Sequence, residues 1–198
     1  DFYVLFMVSV LICLIMASVN IFNHDRVVRY LKELSLLLIW ISTLVIAITT
    51  AARQIPAERE ARTLYPLLAK PVSRAQVMLG KFLGCWLACG GAVLFFYTFF
   101  TLLSMSREHQ VPLINYLQAA GLHWVMLGIV VAFCLLGSLI FSAQSANITI
   151  SFAAVTGILF LGRHLNKIAL KQDEPMESIV FGIYYVMPHL ELFDVRDL

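Results

Sequence analysis

Apolar residues along the chain gather into five long runs separated by shorter polar stretches. A helix needs roughly 20 residues, within a range of about 17–25, to cross the hydrocarbon core of a bilayer, whereas a barrel strand needs only about 9–11. The runs therefore predict an all-α integral membrane protein with a single transmembrane domain over residues 1–198. Its five predicted transmembrane helices cover 2–22, 34–52, 82–105, 117–143 and 146–162.

The polar connections between these runs differ in length and charge. Residues 23–33 and 106–116 are short links, and the uncharged pair Gln144-Ser145 predicts a tight turn between the fourth and fifth helices. Residues 53–81 carry six Lys and Arg, against four in the two short links. Cytoplasmic loops are the ones rich in Lys and Arg. The count favours a cytoplasmic 53–81 and an external 163–198, but the four basic residues of 163–198 leave the orientation open.

Composition excludes two other classes of protein. The chain is 61% hydrophobic and 13% charged, whereas soluble domains average roughly 45–50% and about 25%. A water-soluble domain of this size could not bury so much apolar side chain, and disordered chains have the opposite composition. The net charge of +2 gives no field that would attract nucleic acid. The lipid bilayer is therefore the partner that composition predicts.

Ionisable residues are almost absent from the apolar runs. His123 is the exception, and its neighbour Trp124 predicts a place at the membrane interface in preference to a proton relay. Gly137-Ser138 resembles an intramembrane serine nucleophile, but no histidine is near enough in sequence to serve as its base, so helix packing is expected instead. The four cysteines lie in apolar runs without metal-site spacing. The chain also has no phosphate-binding loop, so no metal, cofactor or catalytic residue is predicted in it.

The third predicted helix carries small residues at every fourth position. Such a stripe lets two helices approach closely. Two interpretations stay open: packing within the subunit, or a seam between two subunits. The residues are Gly80, Gly84, Ala88 and Ala92.

The connection 53–81 contains a short amphipathic pattern. Leu64, Leu67 and Leu68 fall on one helical face, with Thr63 as the expected N-cap and Pro71 as the end. Ser73 and Gln76 then fit a capping box that opens the third long helix. The short helix could lie on the lipid interface, or it could dock into the groove of a partner.

A further apolar patch follows the fifth run. Residues 179–187 are too few to cross a bilayer, and the patch stops at Pro188. We expect it to form an interfacial or re-entrant segment on the external side.

The charged connection resembles the cytoplasmic connection of ABC-2 type transporter permeases. The shared pattern is an acidic and basic cluster, Thr-Leu, Leu-Leu, Pro-Val-Ser-Arg and Gly-Lys, here Glu58-Arg59-Glu60, Thr63-Leu64, Leu67-Leu68, Pro71-Val72-Ser73-Arg74 and Gly80-Lys81. The stretch from Tyr184-Tyr185 to Phe193-Asp194 is similar to the external segment of bacterial members. A weaker resemblance is to the permease group named for multi-copper enzyme maturation.

Two departures from the family pattern stand out. Family members have six transmembrane helices and a leading interfacial helix, so this chain is expected to be a fragment of a six-helix permease. They also have Gly before the Thr, where this chain has Arg62.

The resemblance implies a transmembrane subunit of an ATP-driven transporter, usually an exporter, in the bacterial inner (plasma) membrane. Two permease subunits pair, as a homodimer or heterodimer, and each binds an ATP-binding subunit that holds ATP and Mg²⁺. It also implies that 53–81 is cytoplasmic. An integral-membrane enzyme and a scaffold without transport are the alternatives. The implied docking residues are Glu58, Glu60, Arg62, Thr63, Leu64, Leu67, Leu68, Pro71 and Arg74.

Overall fold

A computed structural model describes most of the chain as a bundle of helices. It describes residues 2–18, 25–62, 73–105, 113–169, 182, 185, 188 and 190–193. The five long helices are α1 (Phe2–Ser18), α2 (Asp25–Glu60), α3 (Arg74–Met105), α4 (Leu113–Ile140) and α5 (Gln144–Ala169), and a short 3-10 helix covers Leu190–Phe193.

Helix length and apolar character agree with a membrane protein. Within the described residues, Tyr30–Glu60, Arg74–Met105 and Leu113–Ile140 are long and apolar enough to cross a bilayer. Gln144–Phe160 is a shorter apolar helix, and α1 has 17 residues. The prediction of an all-α fold is confirmed, and the count of five transmembrane helices stays a prediction.

The helix ends correct several predicted boundaries. Residues 25–33 were expected in a polar link and residues 53–60 in a charged connection, but both belong to the continuous helix α2. Charged residues stop a helix from lying in hydrocarbon, but Glu, Lys and Arg are good helix formers. The membrane-crossing part of a helix can therefore end well before the helix itself ends.

The turn between the last two long helices also lies elsewhere. It covers 141–143, not the predicted Gln144-Ser145, which instead begin α5. The polar residues after Phe141 suggested a turn there. In the structure Thr149 donates to the Ser145 carbonyl of its own helix, and the buried Asn147 donates to a carbonyl of α2, so these polar groups have partners without a turn.

Helix α2 lies at the centre of the bundle and packs against α1, α3, α4 and α5. Its buried face is made of small and branched residues, including Leu44, Ala47, Ile48 and Ala51. A second cluster joins Ile12 and Ile39 to Phe96 and Phe100, where α1 and α3 meet α2. Among the residues of α2 whose burial is described, buried positions therefore recur from Ser35 to Pro56.

The 3-10 helix folds back onto the bundle. Leu190 is buried in the main core, with Phe193 packed beside it. Leu190 and Pro188 line a cavity of about 220 Å³ with Phe133, Leu136 and Val155, so this segment lies against α4 and α5.

Candidate functional site

Four helix termini meet at one end of the bundle. Among the described residues, most of the charged side chains near the predicted docking segment lie at this end. We call this region the charged end: the carboxyl ends of α2 and α4 and the amino ends of α3 and α5. Contacts between the helices establish the arrangement. Glu58 pairs with Lys81, Arg59 reaches Leu139, and Asn147 reaches Ala52.

An ion pair joins α2 to α3 at this end. Lys81 Nζ lies 2.5 Å from Glu58 Oε1, and the Lys81 side chain is only 10% exposed. Glu58 was predicted as a docking residue, and the structure places its carboxylate on a partner within the same subunit. The Glu58 side chain is 32% exposed, so removing either charge would leave the other partly shielded from water without its partner.

A second charged residue joins α2 to α4. The Arg59 guanidinium donates to the Leu139 carbonyl at 3.4 Å, one residue before α4 ends. The last carbonyls of a helix have no partner within it and carry partial negative charge, so a cation is favoured there. Arg59 therefore ties the last turn of α2 to the last turn of α4.

Arg62, which departs from the family pattern, has an unusual backbone conformation. It follows the end of α2 with φ of 54°, the left-handed conformation in which glycine is favoured. Its N–H donates to the Arg59 carbonyl at 3.2 Å, closing the end of the helix. Glycine adopts this left-handed backbone without the steric cost that a side chain adds.

The start of α3 has the predicted capping box. The Ser73 N–H donates to Gln76 Oε1 at 3.0 Å, and the Gln76 N–H donates to Ser73 Oγ at 3.2 Å. These bonds satisfy amide groups that the helix itself leaves open. This prediction is confirmed, and it fixes where the docking segment ends and the helix begins.

The predicted docking residues divide into two sets. Glu60, Arg62 and Arg74 are exposed at the charged end, and Glu58 is half-buried. The rest lie outside the described residues, namely Thr63, Leu64, Leu67, Leu68 and Pro71. An open groove of about 390 Å³ runs between α2 and α3 beside these ends, lined by Gln54, Glu58, Gln76, Val77, Gly80, Lys81, Gly84 and Cys85.

Three of the four small residues in the row on α3 are exposed among the described residues, so packing within the subunit and a seam between subunits both stay open. Gly80, Gly84 and Ala88 are exposed, and an added Cβ at either glycine would meet nothing within 4 Å. Only Ala92 is buried. The buried face of α3 lies one position further on, at Cys85, Cys89 and Val93, and Trp86 beside it packs close to Gly128 of α4.

His123 was expected at the lipid interface, and the structure corrects this. It is 1% exposed, and its Nε2 lies 3.0 Å from Thr43 Oγ1 of α2. The ring also meets Tyr97 edge to face, with centroids 6.0 Å apart. The histidine is thus packed between three helices, where a partner from another helix satisfies it.

The packing interpretation of Gly137-Ser138 is confirmed. Ser138 Oγ donates to the Leu135 carbonyl at 2.7 Å within its own helix. An added Cβ at Gly137 would lie 2.5 Å from Asn147 Oδ1, so glycine is needed for α4 and α5 to approach. In the parts of the chain that the structure describes, no group of three or more His, Cys, Asp and Glu could hold a metal ion.

Comparison with known proteins decides the class. A family model described as "ABC-2 family transporter protein" matches residues 2–192. The chain belongs to the ABC-2 transporter family. Its resemblance to ABC-2 type permeases is confirmed, so it is a multi-pass membrane protein and a transport component. Comparison with curated proteins finds no match, and neither does comparison with solved structures.

Sequence reasoning missed the residues that tie this ABC-2 protein together at its charged end. The sequence places Arg59 in a charged cluster and Pro56 in the connection 53–81, and it assigns no role to Asn147. A proline inside a helical pattern and an asparagine inside an apolar run were the available signals. Their significance depends on contacts between helices, which the sequence does not show.

Proposed function

We propose that this ABC-2 family chain is the permease subunit of an ATP-driven exporter and passes the motion of a separate ATP-binding subunit to its helices through residues 53–81. The observation that carries the proposal is the double attachment of the end of α2. Glu58 binds Lys81 of α3, and Arg59 binds the Leu139 carbonyl of α4. A force on the segment that follows α2 would therefore act on three helices together.

The position of the docking segment supports the same function. Residues 63–72 connect the attached end of α2 to the capped start of α3. Thr63 and the leucines 64, 67 and 68 would form the apolar face that fills a groove on the ATP-binding subunit, and Pro71 would end it. The exposed charges of Glu60, Arg62 and Arg74 would set its register. ATP and Mg²⁺ would be bound by the partner, with no cofactor in this chain.

A second permease subunit would pair through the outer face of α3. Gly80, Gly84 and Ala88 are exposed there, and their open backbone would allow close approach of a helix from the other subunit. Either a homodimer or a heterodimer could form through this contact.

The membrane arrangement completes the proposal. All five long helices would cross the bacterial inner membrane, with the charged end in the cytoplasm. Residues 179–187, most of which lie outside the described residues, would form the external interfacial or re-entrant segment, which is supported by the burial of the following Leu190 against α4 and α5.

The test is recovery of the ATP-binding subunit in detergent, where no bilayer remains to hold the docking segment. Leu67→Ala combined with Leu68→Ala should weaken recovery, because truncating interface anchors often costs about 2 kcal/mol or more, roughly a thirtyfold loss of affinity. The matched control is Leu113→Ala with Leu117→Ala, two exposed leucines at the amino end of α4, away from the charged end. Unchanged recovery from the docking variant would contradict the proposal.

Hydrolysis of ATP separates a transport subunit from the two alternatives. The purified chain alone should hydrolyse no ATP, and its complex should do so through the partner. ATP hydrolysis by the chain alone would favour an integral-membrane enzyme. A complex whose ATPase rate equals that of the partner alone would favour a scaffold.

A further inference from the structure

Pro56 lies inside α2 and leaves one backbone carbonyl without its usual partner. A proline has no N–H, so it cannot donate to the carbonyl four residues earlier, which here is Ala52. Both residues are buried. Buried carbonyls in a membrane protein are expected to be satisfied, and neighbouring helices commonly satisfy those that prolines release.

Asn147 of α5 supplies the missing donor. Its side-chain Nδ2 donates to the Ala52 carbonyl at 2.9 Å and lies 3.5 Å from the Cys134 carbonyl of α4. Asn147 is fully buried. The side-chain amide of Asn147 therefore joins α5 both to α4 and to the point of α2 that Pro56 weakens.

The surroundings of Asn147 fix which way its amide points. Ser151 Oγ donates to Asn147 Oδ1 at 3.2 Å, so the oxygen faces a donor and the nitrogen faces two carbonyls. The reverse assignment would put the oxygen against carbonyl oxygens. Gly137 leaves the space that Oδ1 fills, since a Cβ there would lie 2.5 Å away.

This contact lies just before the attachments at the charged end. Residues 53–60 follow Ala52 in the same helix, and they carry Glu58 and Arg59, which bind α3 and α4. A proline in a helix interior lets the two halves of the helix bend relative to each other. Without a substitute bond at Ala52, motion of the docking segment would be absorbed by bending at this point.

We propose that Asn147 is a positioning residue of the transport cycle, which replaces the hydrogen bond that Pro56 removes from Ala52 and so holds the two halves of α2 as one lever. The functional part of this inference rests on the proposed coupling to an ATP-binding subunit. The structural part concerns this chain alone and is tested without the partner.

The structural test is a double-mutant cycle on the thermal unfolding of the purified chain. Asn147→Leu, which is nearly isosteric, should lower the melting temperature by about 2–4 °C, as expected for one hydrogen bond in a protein of this size. Pro56→Ala restores an N–H that can donate to Ala52. In that background Asn147→Leu should cost less than half as much. Equal costs in the two backgrounds would overturn the inference.

A matched control and a second variant keep the cycle decisive. Ser138→Ala removes a buried hydroxyl that donates to the Leu135 carbonyl of its own helix, and it should cost the same with either residue at 56. Gly137→Ala crowds Asn147 without altering α2, so it should lower the melting temperature more with Pro56 than in the Pro56→Ala background. Equal losses in the two backgrounds would also overturn the inference.

The functional test uses the complex with its ATP-binding subunit. Asn147→Leu should leave recovery of that subunit unchanged but bring the ATPase rate of the complex back to that of the subunit alone, and adding Pro56→Ala should restore the difference. A simple packing role would not be rescued by a change in another helix. If the wild-type complex shows no such difference, the proposed function fails, and the unfolding cycle still decides the role of Asn147.

Discussion

Trp86 of α3 and Trp124 of α4 donate hydrogen bonds to each other's backbone. Each indole Nε1 donates to the carbonyl of the other tryptophan, and both distances are 3.0 Å. The rings stack with centroids 4.6 Å apart and planes 18° from parallel. The contact joins the middle of two long helices by both polar and apolar interactions.

Two glycines make this exchange possible. In a helix, the side chain four residues on lies on the same face, beside the carbonyl. Gly90 and Gly128 stand four residues after the two tryptophans, so both carbonyls are open to the facing indole. An added Cβ would lie 2.6 Å from Trp124 Nε1 at Gly90 and 2.9 Å from Trp86 Nε1 at Gly128.

We predict that Gly90→Ala destabilises the chain by about 1–3 kcal/mol, the usual cost of overpacking. The added methyl group would displace the Trp124 ring and break its hydrogen bond. Thermal unfolding in detergent, followed by tryptophan fluorescence, measures both the stability and the change around the rings.

The adjacent glycine provides the control. Gly91 is exposed, and an added Cβ there meets nothing within 4 Å. Gly91→Ala should be neutral or slightly stabilising, because alanine favours a helix over glycine. Equal losses from the two variants would contradict a role for the tryptophan contact.

A glycine should be favourable at the end of α2, where Arg62 has φ of 54°. Left-handed backbone costs a residue with a Cβ about 1–2 kcal/mol, so Arg62→Gly should stabilise the isolated chain by about 1 kcal/mol. Ala57→Gly, at an exposed helical position nearby, should destabilise by a similar amount. A lower melting temperature for Arg62→Gly would show that contacts of the arginine outweigh its backbone strain.

The ion pair between Glu58 and Lys81 predicts rescue by charge exchange. Lys81→Glu alone would place two carboxylates together and should cost about 1 kcal/mol or more. Adding Glu58→Lys restores opposite charges across the same contact and should recover most of the loss. The unfolding midpoints of the four proteins give the coupling, which should shrink in 1 M salt to the extent that water reaches the pair.

Charge reversal at a position of α2 other than Glu58 is the control for that cycle. Arg53 is exposed on the same helix, and Arg53→Glu with Lys81→Glu should give additive effects. If Glu58→Lys fails to rescue Lys81→Glu, the two side chains do not pair in the folded protein.

The general fold could be predicted because one contribution to the free energy of folding, the burial of apolar side chains, dominates it. Burying long apolar runs in lipid fixes the number and approximate place of the helices, and the capping box at Ser73 and Gln76 is a purely local signal. The ends of α2 could not be predicted in this way. Hydrophobicity marks where hydrocarbon ends, whereas helical hydrogen bonding continues through Glu58 and Arg59.

The contacts of the candidate site were only partly predictable, for a different reason. The motif marks Glu58, Arg59 and Arg62 as one charged cluster, but the partners of Glu58 and Arg59 come from α3 and α4. His123 was misplaced because Thr43, 80 residues away, satisfies it inside the bundle. Polar residues in an apolar run can be noticed in a sequence, but their partners depend on how the helices pack.

Orientation in the membrane gives the last prediction. Residues 53–81 hold six Lys and Arg, and positively charged loops stay in the cytoplasm. Single cysteines at Ala57 and Ala75, both exposed at the charged end, should react with an impermeant maleimide only from the cytoplasmic side. Cysteines at positions 23 and 110 should react only from outside.

The native cysteines allow this measurement with one replacement. Cys85, Cys89 and Cys134 are buried, so only the exposed Cys13 must first become serine. A cysteine at Ala47, which is fully buried, should react only after denaturation and shows that the reagent reports exposure. The opposite pattern at positions 57 and 75 would put the charged end outside the cell. An ATP-binding subunit could then not reach residues 63–72, so this single result would overturn the proposed coupling as well as the orientation.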